Sequence, residues 1–432
     1  MVGGRRWVTV LVAGGVLFGL VGCLGLLGTQ QMDGDLAMSS AGRDVSPDVD
    51  EEVLAELVSG NTDFAFDLYR VLRSRDGNLF FSPLSLSLAV GMASAGARGE
   101  TLTQIEQALH FFLDQEALHP AFNALDLELA RREELPEGSE GDGFALRIVH
   151  SAWGQTGHPF RRSFLDTLAE NYGAGVRLVD YLNDPEGARS TINDWVRDQT
   201  EGKIEDLLPP RSVTSDLRLT LVDAIYFLAP WAAPFDPQQT QGEPFTRSDG
   251  TRISVPTMQQ TGPFLYAETT DYCAVELPYN GEELSMILVV PRRGTLEDLE
   301  GELSSGWLDQ LLHDLTTKNV ALYVPKFSFE WGEDLTEALG ELGMNDPFLP
   351  GIADFSGIDG TKSLFIGFVI HRAFVSVYEE GTEAAAATAV GMVATGIPEP
   401  PVEMRIDRPF LFLIRDNVTG TILFLGRVED PR

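Results

Sequence analysis

The stretch that organises this chain lies near its C-terminal end and reads EEGTEAAAATAV from Glu379 to Val390, followed by GMVATGIP up to Pro398. Its local preferences conflict, because the alanine run favours helix while the β-branched residues, the glycines and the proline favour extended chain or loop. From Ala384 to Pro398 there is no charge and almost no bulk. Such a segment suits a strand that enters a packed sheet as well as a solvent-exposed loop, and conflict of this kind often marks a functional segment. A flexible Ala/Gly linker is the alternative that this stretch alone leaves open.

The overall composition is that of a globular protein with an acidic surface. The 432 residues are enough to bury a sizeable core in one large domain or in two smaller ones. The formal net charge of −34 repels nucleic acid and anionic membrane surfaces, so a neutral or basic partner is expected. Acidity of this size also fits a salty habitat, and the sequence leaves both explanations open.

The N-terminal segment 1–28 reads as an export signal, in which Arg5-Arg6 precedes an uncharged run up to Gly28. Its tetrapeptide Leu20-Val21-Gly22-Cys23 is similar to a bacterial lipobox, which predicts acylation of Cys23. The uncharged run is also long enough to span a bilayer of about 30 Å, so an uncleaved membrane anchor is an alternative, as is cleavage with release. Each alternative predicts an exported protein, either a cell-envelope lipoprotein or an extracellular one. Residues 29–50 would then form a polar tether.

No motif for enzymatic chemistry is present. The sequence holds no Gly-x-Ser-x-Gly turn, no phosphate-binding loop and no Cys/His cluster with metal-ligand spacing. The second cysteine, Cys273, falls in an alternating segment that predicts a strand, where it would be a small core residue and not a nucleophile. The sequence therefore predicts no enzyme, no metal site and no cofactor, although a hydrolase triad built from distant residues would leave no motif.

Predicted helices dominate the first half of the chain and predicted strands the second, which indicates an α+β domain over residues 51–432. The predicted helices are Glu51–Arg73, the segment following Pro83 up to Gly96, further helices within Thr101–Arg132, Ser163–Tyr172, Arg189–Gln199 and Leu335–Leu342. The predicted strands include Leu146–Trp153, Leu217–Phe227, Phe264–Tyr266, Ala274–Leu277, Leu284–Val290, Val320–Phe329, Phe410–Arg415 and Thr421–Gly426. Residues 133–143 are acidic and glycine-rich and predict a surface loop.

A set of motifs stands in the order and spacing of one protein family. They are Asn78 to Leu88 with its continuation to Thr101, Asn193-Asp194-Trp195-Val196, Thr200-Glu201-Gly202-Lys203-Ile204, Ala224-Ile225-Tyr226-Phe227 leading to Trp231 and Phe235-Asp236-Pro237, Val324-Pro325-Lys326-Phe327-Ser328-Phe329, Leu342-Gly343-Met344, Ala353-Asp354-Phe355-Ser356-Gly357-Ile358, Arg408-Pro409-Phe410 and Gly420-Thr421-Ile422-Leu423-Phe424-Leu425-Gly426. No single motif is specific, but together they cover residues 51–432. The chain therefore resembles a serpin, in a prokaryotic and exported form.

The resemblance implies an α+β serpin fold of three β-sheets and eight or nine α-helices, with an exposed reactive-centre loop at about residues 379–404. It also implies a serine-type endopeptidase inhibitor that acts as a suicide substrate. In this family the protease cleaves the loop and is held as an acyl-enzyme ester while the loop inserts as a new central strand and carries the enzyme to the far end. Such a protein is a monomer whose partner is its target protease.

The hinge of the loop is suited to insertion. In an inserted strand alternate residues face the core, so a charge among the inward residues would cost several kcal/mol. The inward residues would be Thr382, Ala384, Ala386 and Thr388. Glu383, the charge within the mobile part, would face outward, and Gly381 after Glu379 provides a pivot. This pattern predicts an inhibitor, and a non-inhibitory serpin acting as a binding or structural protein is the alternative.

The reactive bond follows by counting from Glu379, which aligns with the hinge glutamate of the family. Seventeen residues, both ends included, lead to Thr395, so the resemblance places the reactive bond at Thr395-Gly396. At roughly 3.3 Å per residue, the segment from Thr382 to Thr395 would extend about 45 Å as a strand.

The residues around this bond indicate the class of protease. Thr395 preceded by Val393 and Ala394 suits the shallow pocket of an elastase-like or subtilisin-like enzyme. Met392 is a secondary site for a chymotrypsin-like enzyme, and a slip of one or two residues would move the bond to Val393 or Ala394. A trypsin-like enzyme finds no Arg or Lys between Ala384 and Met404. Cross-class inhibition of a cysteine protease is a further alternative.

The resemblance also assigns residues to the opening of the sheet. Ser82, Ser85 and His371 fall in a polar cluster beneath the point where the sheet opens, and Trp231 falls near the place where the loop enters. At Asp223 the family usually has an asparagine that hydrogen-bonds the histidine. We hypothesise that Asp223 and His371 form a partly buried charged pair that makes sheet opening pH-sensitive, the alternatives being a neutral packing variant or a solvated carboxylate.

Some serpins carry a basic helix that recruits heparin-like polyanions. The matching region, Leu102 to Leu118, contains no Lys or Arg. A heparin-type cofactor is therefore not expected.

Overall fold

The computed structural model describes residues 36–133, 145–382 and 400–432, without the side chains of residues 133, 145–150, 223, 224 and 226. The predicted export segment with Cys23 lies outside these residues, as does most of the predicted acidic loop. Within the described ranges no helix is long and apolar enough to cross a membrane.

Ten α-helices occur in the described residues. They are α1 (Glu51–Leu72), α2 (Pro83–Ser94), α3 (Gly99–Ala108), α4 (Gln115–Ala130), α5 (Arg162–Tyr172), α6 (Pro185–Gln199), α7 (Leu296–Glu300), α8 (Ser305–Asp314), α9 (Thr336–Glu341) and α10 (Ser356–Asp359). Short 3-10 helices cover Arg131–Glu133, Pro237–Gln239 and Asp346–Phe348. The resemblance implied eight or nine α-helices, and the count here reaches ten because it includes the short helices α7 and α10, with five and four residues.

Sixteen β-strands occur in the described residues. They are β1 (Leu36–Ala37), β2 (Leu79–Phe81), β3 (Ala145–Gln155), β4 (Val176–Val179), β5 (Leu219–Pro230), β6 (Gln241–Thr246), β7 (Arg252–Glu268), β8 (Tyr272–Pro278), β9 (Leu284–Pro291), β10 (Thr316–Pro325), β11 (Phe327–Asp334), β12 (Val369–Val377), β13 (Gly381–Thr382), β14 (Val402–Arg405), β15 (Phe410–Asp416) and β16 (Ile422–Val428).

These strands form two hydrogen-bonded sheets. The seven-stranded sheet has the order β1-β4-β3-β5-β13-β12-β11. The nine-stranded sheet has the order β14-β10-β7-β8-β9-β15-β16-β2, with β6 paired to β7. Three sheets were expected. In the described residues, however, the 17-residue strand β7 pairs along its length with β6, β10 and β8 and so joins these strands in one sheet.

One predicted strand, Val320–Phe329, is two strands in different sheets. β10 ends at Pro325 in the nine-stranded sheet, and β11 begins at Phe327 in the seven-stranded sheet. The amide of Lys326 between them donates to the carbonyl of Pro256 at 2.8 Å. The prediction was wrong because Pro325 cannot donate a ladder hydrogen bond, and the chain changes sheets directly after it.

The main core lies between the two sheets. Phe80 of β2 stacks on Phe424 of β16 with ring centroids 4.8 Å apart, and Phe424 meets Phe227 of β5 at 5.6 Å. Phe327 of β11 contacts Phe412 of β15 at 5.4 Å. The seven-stranded sheet is therefore held against the nine-stranded sheet by interlocked aromatic rings.

The described part of the polar segment 29–50 contacts the rest of the domain. β1 pairs antiparallel with β4, with Leu36 opposite Arg177. Further on, Nε of Arg43 donates to Oδ1 of Asn123 at 2.8 Å, and Nδ2 of Asn123 donates to the carbonyl of Asp44 at 2.7 Å. This segment therefore covers the outer edge of β4, which would otherwise offer unpaired backbone groups.

Candidate functional site

The seven-stranded sheet is forked at one end. β5 and β12 pair in parallel over Leu221–Tyr226 and Val369–Phe374. Beyond that ladder the short strand β13 lies between them, with Thr382 opposite Ala229 of β5 and Val377 of β12. The chain leaves β12, reverses in a tight turn and returns as β13, so the segment before residue 383 already lies in the sheet.

Gly381 is required by the close approach of this turn to β5. A Cβ atom added at Gly381 would overlap the carbonyl oxygen of Ala229 and would lie 2.6 Å from the Cα of Pro230. Two hydrogen bonds between Tyr378 and Gly381, at 2.9 and 3.3 Å, close the turn. The predicted role of Gly381 as a pivot therefore has a steric cause as well as a conformational one.

Thr382 points into a buried polar and aromatic pocket. Its side chain is buried, and its hydroxyl forms a 2.8 Å hydrogen bond with the hydroxyl of Tyr279. Burial raises the pKa of Tyr279, so the phenol stays neutral and can share this bond. Trp231 stacks on Tyr279 with ring centroids 4.6 Å apart and planes 10° apart. The first inward residue of the hinge is thus already in place.

Trp231 lies at the hinge, where the loop begins, and not in the polar cluster of Ser82, Ser85 and His371. Its Nε1 donates to the carbonyl of Tyr378 at 3.0 Å, and its amide donates to the carbonyl of Glu380 at 2.9 Å. Asp223 lies eight residues back along the chain, about 26 Å away at roughly 3.3 Å per residue. Trp231 therefore holds the turn that leads into β13.

Glu379 anchors the turn from the other side. Its carboxylate, 7% exposed, accepts hydrogen bonds from Nζ of Lys326 and from Oγ1 of Thr240, each at 2.7 Å. Burial opposes ionisation, but the bonds from Lys326 and Thr240 outweigh it and hold the pKa of Glu379 below its ordinary value of 4.5. Its carbonyl also accepts from the amide of Phe235 at 2.8 Å.

Sequence reasoning missed three of the residues that hold the hinge: Lys326, Thr240 and Tyr279. Lys326 carries a signal, because it is a lone cation between the apolar pair Val324-Pro325 and the segment Phe327-Ser328-Phe329, and a cation there needs a partner. It reaches Glu379 because the chain changes sheets at this residue. Thr240 and Tyr279 carry no local signal, since only the fold brings their segments to the hinge.

Ser82, Ser85 and His371 do come together, beneath the fork. Ser82 caps α2 by accepting the amide of Ser85 at 3.2 Å, and Pro83 occupies the first turn of that helix. The backbone N–H of Ser82 donates to Nε2 of His371 at 3.1 Å. All three residues are buried. In this bond Nε2 acts as the acceptor.

The register places Asp223 beside His371. The two residues are opposite each other where β5 and β12 pair in parallel. The side chain of Asp223 lies outside the described residues, so the charged pair stays a hypothesis. An imidazolium would have to give up the bond from Ser82.

The remaining predicted site residues lie outside the described part of the chain. They are Glu383, Ala384, Ala386, Thr388, Met392, Val393, Ala394, Thr395 and Gly396, together with Cys23. Cys273 is half-buried in β8, and burial raises the pKa of its thiol to about 11, which fits a packing role. Within the described ranges no group of three or more His, Cys, Asp or Glu residues is placed to hold a metal ion.

Comparison with known proteins gives concordant results. Residues 59–431 match the family described as Serpin (serine protease inhibitor). An uncharacterised serpin-like protein of Thermococcus kodakarensis is 38% identical over 433 residues, which cover 98% of this chain and 99% of that protein. The leukocyte elastase inhibitor of Homo sapiens is 38% identical over 391 residues, which cover 88% of this chain and 100% of that protein.

The fold is similar to a solved structure as well. The crystal structure of the thermophilic serpin tengpin in its native state superposes with a TM-score of 0.78 at 28% identity, covering 90% of this chain and 97% of tengpin. The forked sheet, the hinge turn and the buried cluster beneath it lie within the matched residues. The chain belongs to the serpin family.

Proposed function

We propose that this serpin is a suicide-substrate inhibitor that traps an elastase-like or subtilisin-like serine endopeptidase as a covalent acyl-enzyme. The observation that carries the proposal is β13, which already lies between β5 and β12 with its inward side chain buried. The family description, serine protease inhibitor, supports the class of activity. The inhibitor acts as a monomer and binds one protease.

The pairing of β5 with β12 supplies a physical reason for insertion. These two strands are parallel, whereas β13 is antiparallel to both. A strand continuing from β13 would replace one parallel ladder by two antiparallel ladders, which adds hydrogen bonds and exchanges a slightly less stable pairing for a more stable one. Cleavage of the loop would release the segment for this step.

The observed register fixes where an inserted loop would lie. Thr382 is opposite Ala229, and the two strands are antiparallel. Met392, ten residues after Thr382, would therefore be opposite Leu219, which is ten residues before Ala229 and is the first residue of β5. The residues that share the inward face with Thr382 would be Ala384, Ala386, Thr388, Val390 and Met392. None of them carries a charge, so the inserted strand would bury no ion.

The chemical step needs no group from this protein beyond the loop itself. The protease serine would attack the carbonyl carbon of Thr395, the bond to the nitrogen of Gly396 would break, and the new amine would leave with a proton. The ester between the enzyme and Thr395 would persist if insertion distorts the protease before water attacks.

The specificity rests on the loop sequence and on the relatives. Thr395 is small, and two relatives at 37–38% identity are named leukocyte elastase inhibitors. The loop from Ala384 to Met404 has no Lys or Arg for a trypsin-like enzyme. A non-inhibitory serpin and an inhibitor of cysteine proteases are the alternatives that the first experiment below separates.

We further propose that the inhibitor acts outside the cytoplasm, held at the cell envelope by a lipid on Cys23. The lipobox-like tetrapeptide and the uncharged run before it support this location. The described domain begins at Leu36, 13 residues after Cys23 (36 − 23), so a short tether would keep it near the membrane surface.

The first prediction concerns complex formation. Incubation with elastase or subtilisin should give a one-to-one complex that survives SDS, whereas trypsin should give none. N-terminal sequencing of the released fragment should begin at Gly396. If elastase and subtilisin cleave the loop without forming a stable complex, the protein is a non-inhibitory serpin. A stable complex with papain alone would indicate cross-class inhibition.

The second prediction concerns the inward face of the inserted strand. Thr382→Arg should turn the inhibitor into a substrate, because burying an unpaired guanidinium beside Tyr279 costs several kcal/mol. Gel analysis should show cleaved protein in place of complex. The matched control Ala385→Arg puts the same charge on the outward face and should retain the complex. If Thr382→Arg still forms it, insertion does not occur in the observed register.

The third prediction concerns the hinge ion pair. Glu379→Gln should lower the free energy of unfolding by about 1.5–3 kcal/mol at neutral pH, because a charge-assisted bond to Lys326 is lost. The pKa of Glu379 is lowered in the folded state, so its contribution is complete above pH 4.5 and is lost as the pH falls through the lowered pKa.

Thermal unfolding of both proteins between neutral and acidic pH measures this effect. The difference between wild type and Glu379→Gln should shrink below pH 4.5, and the neighbouring variant Glu380→Gln should match the wild type throughout. A difference that stays constant with pH would show that Glu379 acts by shape and not by charge.

The fourth prediction concerns location. In a prokaryotic host that processes lipoproteins, the wild type should fractionate with the membrane and Cys23→Ser should not. Cys273→Ser, which changes the other cysteine, should fractionate like the wild type. Membrane association of Cys23→Ser would instead indicate an uncleaved anchor.

A further inference from the structure

A large cavity lies away from the hinge, where four segments meet. It has a volume of about 1000 Å³. Its walls come from the end of α1, the turn between β6 and β7, the segment between β9 and α7, and the residues that flank β15 and end β16. The volume is at the upper end of the range for small-molecule sites. The inhibitory mechanism makes no use of this cavity.

The charge of the cavity is opposite to that of the protein. Seven arginines and five carboxylates line it, whereas the chain as a whole has 31 basic and 65 acidic residues. Three of the five carboxylates are already paired within the wall, two of them with the same arginine. Glu300 and Glu429 pair with Arg427 at 3.0 and 3.3 Å, and Asp407 pairs with Arg408 at 2.8 Å. The other two, Asp76 and Glu297, are exposed.

Arg427 holds together the wall of the cavity that follows α1. It is 4% exposed, and its guanidinium donates to the carbonyls of Gly77 at 2.9 Å and Arg73 at 3.0 Å, and also to that of Arg75. These bonds fix the backbone after α1, so the arginines on that segment are held in position. Arg427 therefore stabilises the wall of the cavity, and its charge is already paired with Glu300.

Three other arginines keep donors without acceptors among the described residues. The half-buried Arg73 and the exposed Arg252 have no ion pair or side-chain hydrogen bond there. Arg247 pairs with Asp430 at 2.5 Å through Nη2, but its buried Nε has no acceptor in the described part of the chain. A buried N–H without an acceptor costs free energy, which an anion would recover once the Arg247 side chain turns this N–H towards it.

We propose that this cavity binds a small oxyanion ligand that carries phosphate or sulfate groups, through Arg73, Arg247 and Arg252. Guanidinium groups match the oxygens of phosphate and sulfate with paired, charge-assisted hydrogen bonds. The ligand is small because a long polyanion would extend over the acidic surface and be repelled. At about 0.1 M salt, the solvent-exposed charges that lie more than about 10 Å from a small ligand are largely screened.

The helix end alone does not account for these arginines. Arg70 and Arg73 lie near the C-terminal end of α1, where a positive charge interacts favourably with the negative end of the helix dipole. This interaction explains their presence without a ligand. That explanation does not cover Arg252, which is the first residue of β7, or Arg247 in the preceding turn. The convergence of both segments on one cavity points to a binding site.

Calorimetric titration with tripolyphosphate and with sucrose octasulfate tests the proposal. At about 0.1 M salt at least one probe should bind, and the affinity should fall as more salt is added. Tighter binding of one probe identifies phosphate or sulfate as the source. The readout is binding, so it is independent of protease inhibition. Failure of both probes to bind overturns the site and leaves the inhibitory function untouched.

Variants locate the binding. Arg252→Gln removes an exposed side chain with no partner and should fold normally, as its unfolding midpoint will show. It should weaken binding about tenfold, and Arg73→Gln with Arg252→Gln should weaken it further. Arg162→Gln, which removes an 82% exposed arginine outside the cavity, should bind like the wild type. Equal affinity in all variants would place the probe elsewhere and overturn the proposal.

Discussion

The parallel pairing of β5 with β12 is the constraint on which the site depends. Because β5 and β12 run in the same direction, a strand between them that is antiparallel to one is antiparallel to both, and β13 has this orientation at the forked end. Its hairpin turn from β12 must pass within contact of the β5 backbone. Gly381 meets that demand, and the ring stack of Trp231 on Tyr279 fills the space beside it.

The hinge is held by polar contacts that are themselves products of the sheet arrangement. Lys326 stands where the chain passes from the nine-stranded to the seven-stranded sheet, and this position brings its ammonium to Glu379. A buried carboxylate is tolerated only with such partners. Beneath the fork, the bond from the amide of Ser82 to His371 ties α2 to β12. Separation of β5 from β12 would disturb this second group of buried polar contacts.

The acidic surface and the arginine-lined cavity show how charge can be distributed within one chain. The net charge of −34 indicates only that polyanions are repelled at long range. At short range the balance differs, because Glu300, Glu429 and Asp407 are each paired within the wall. Composition therefore predicts the field around the molecule but not the chemistry of a cavity, which depends on which charges are already neutralised.

The sequence alone determined the α+β class, the family resemblance, and most long elements, because their apolar periodicity is a local property. The resemblance identified Glu379 as the hinge glutamate, the backbone freedom of glycine suggested Gly381 as a pivot, and alternation within a strand, which is a local property, placed Thr382 on the inward face. Only the tertiary structure decided that Gly381 and Thr382 already lie in the sheet, that Val320–Phe329 divides between two sheets, and that Trp231 donates hydrogen bonds to the carbonyls of Tyr378 and Glu380. The reason is physical: the contacts of Lys326 with Glu379 and of Tyr279 with Thr382 join segments 53 and 103 residues apart. No local pattern records which distant partner a buried polar group will find.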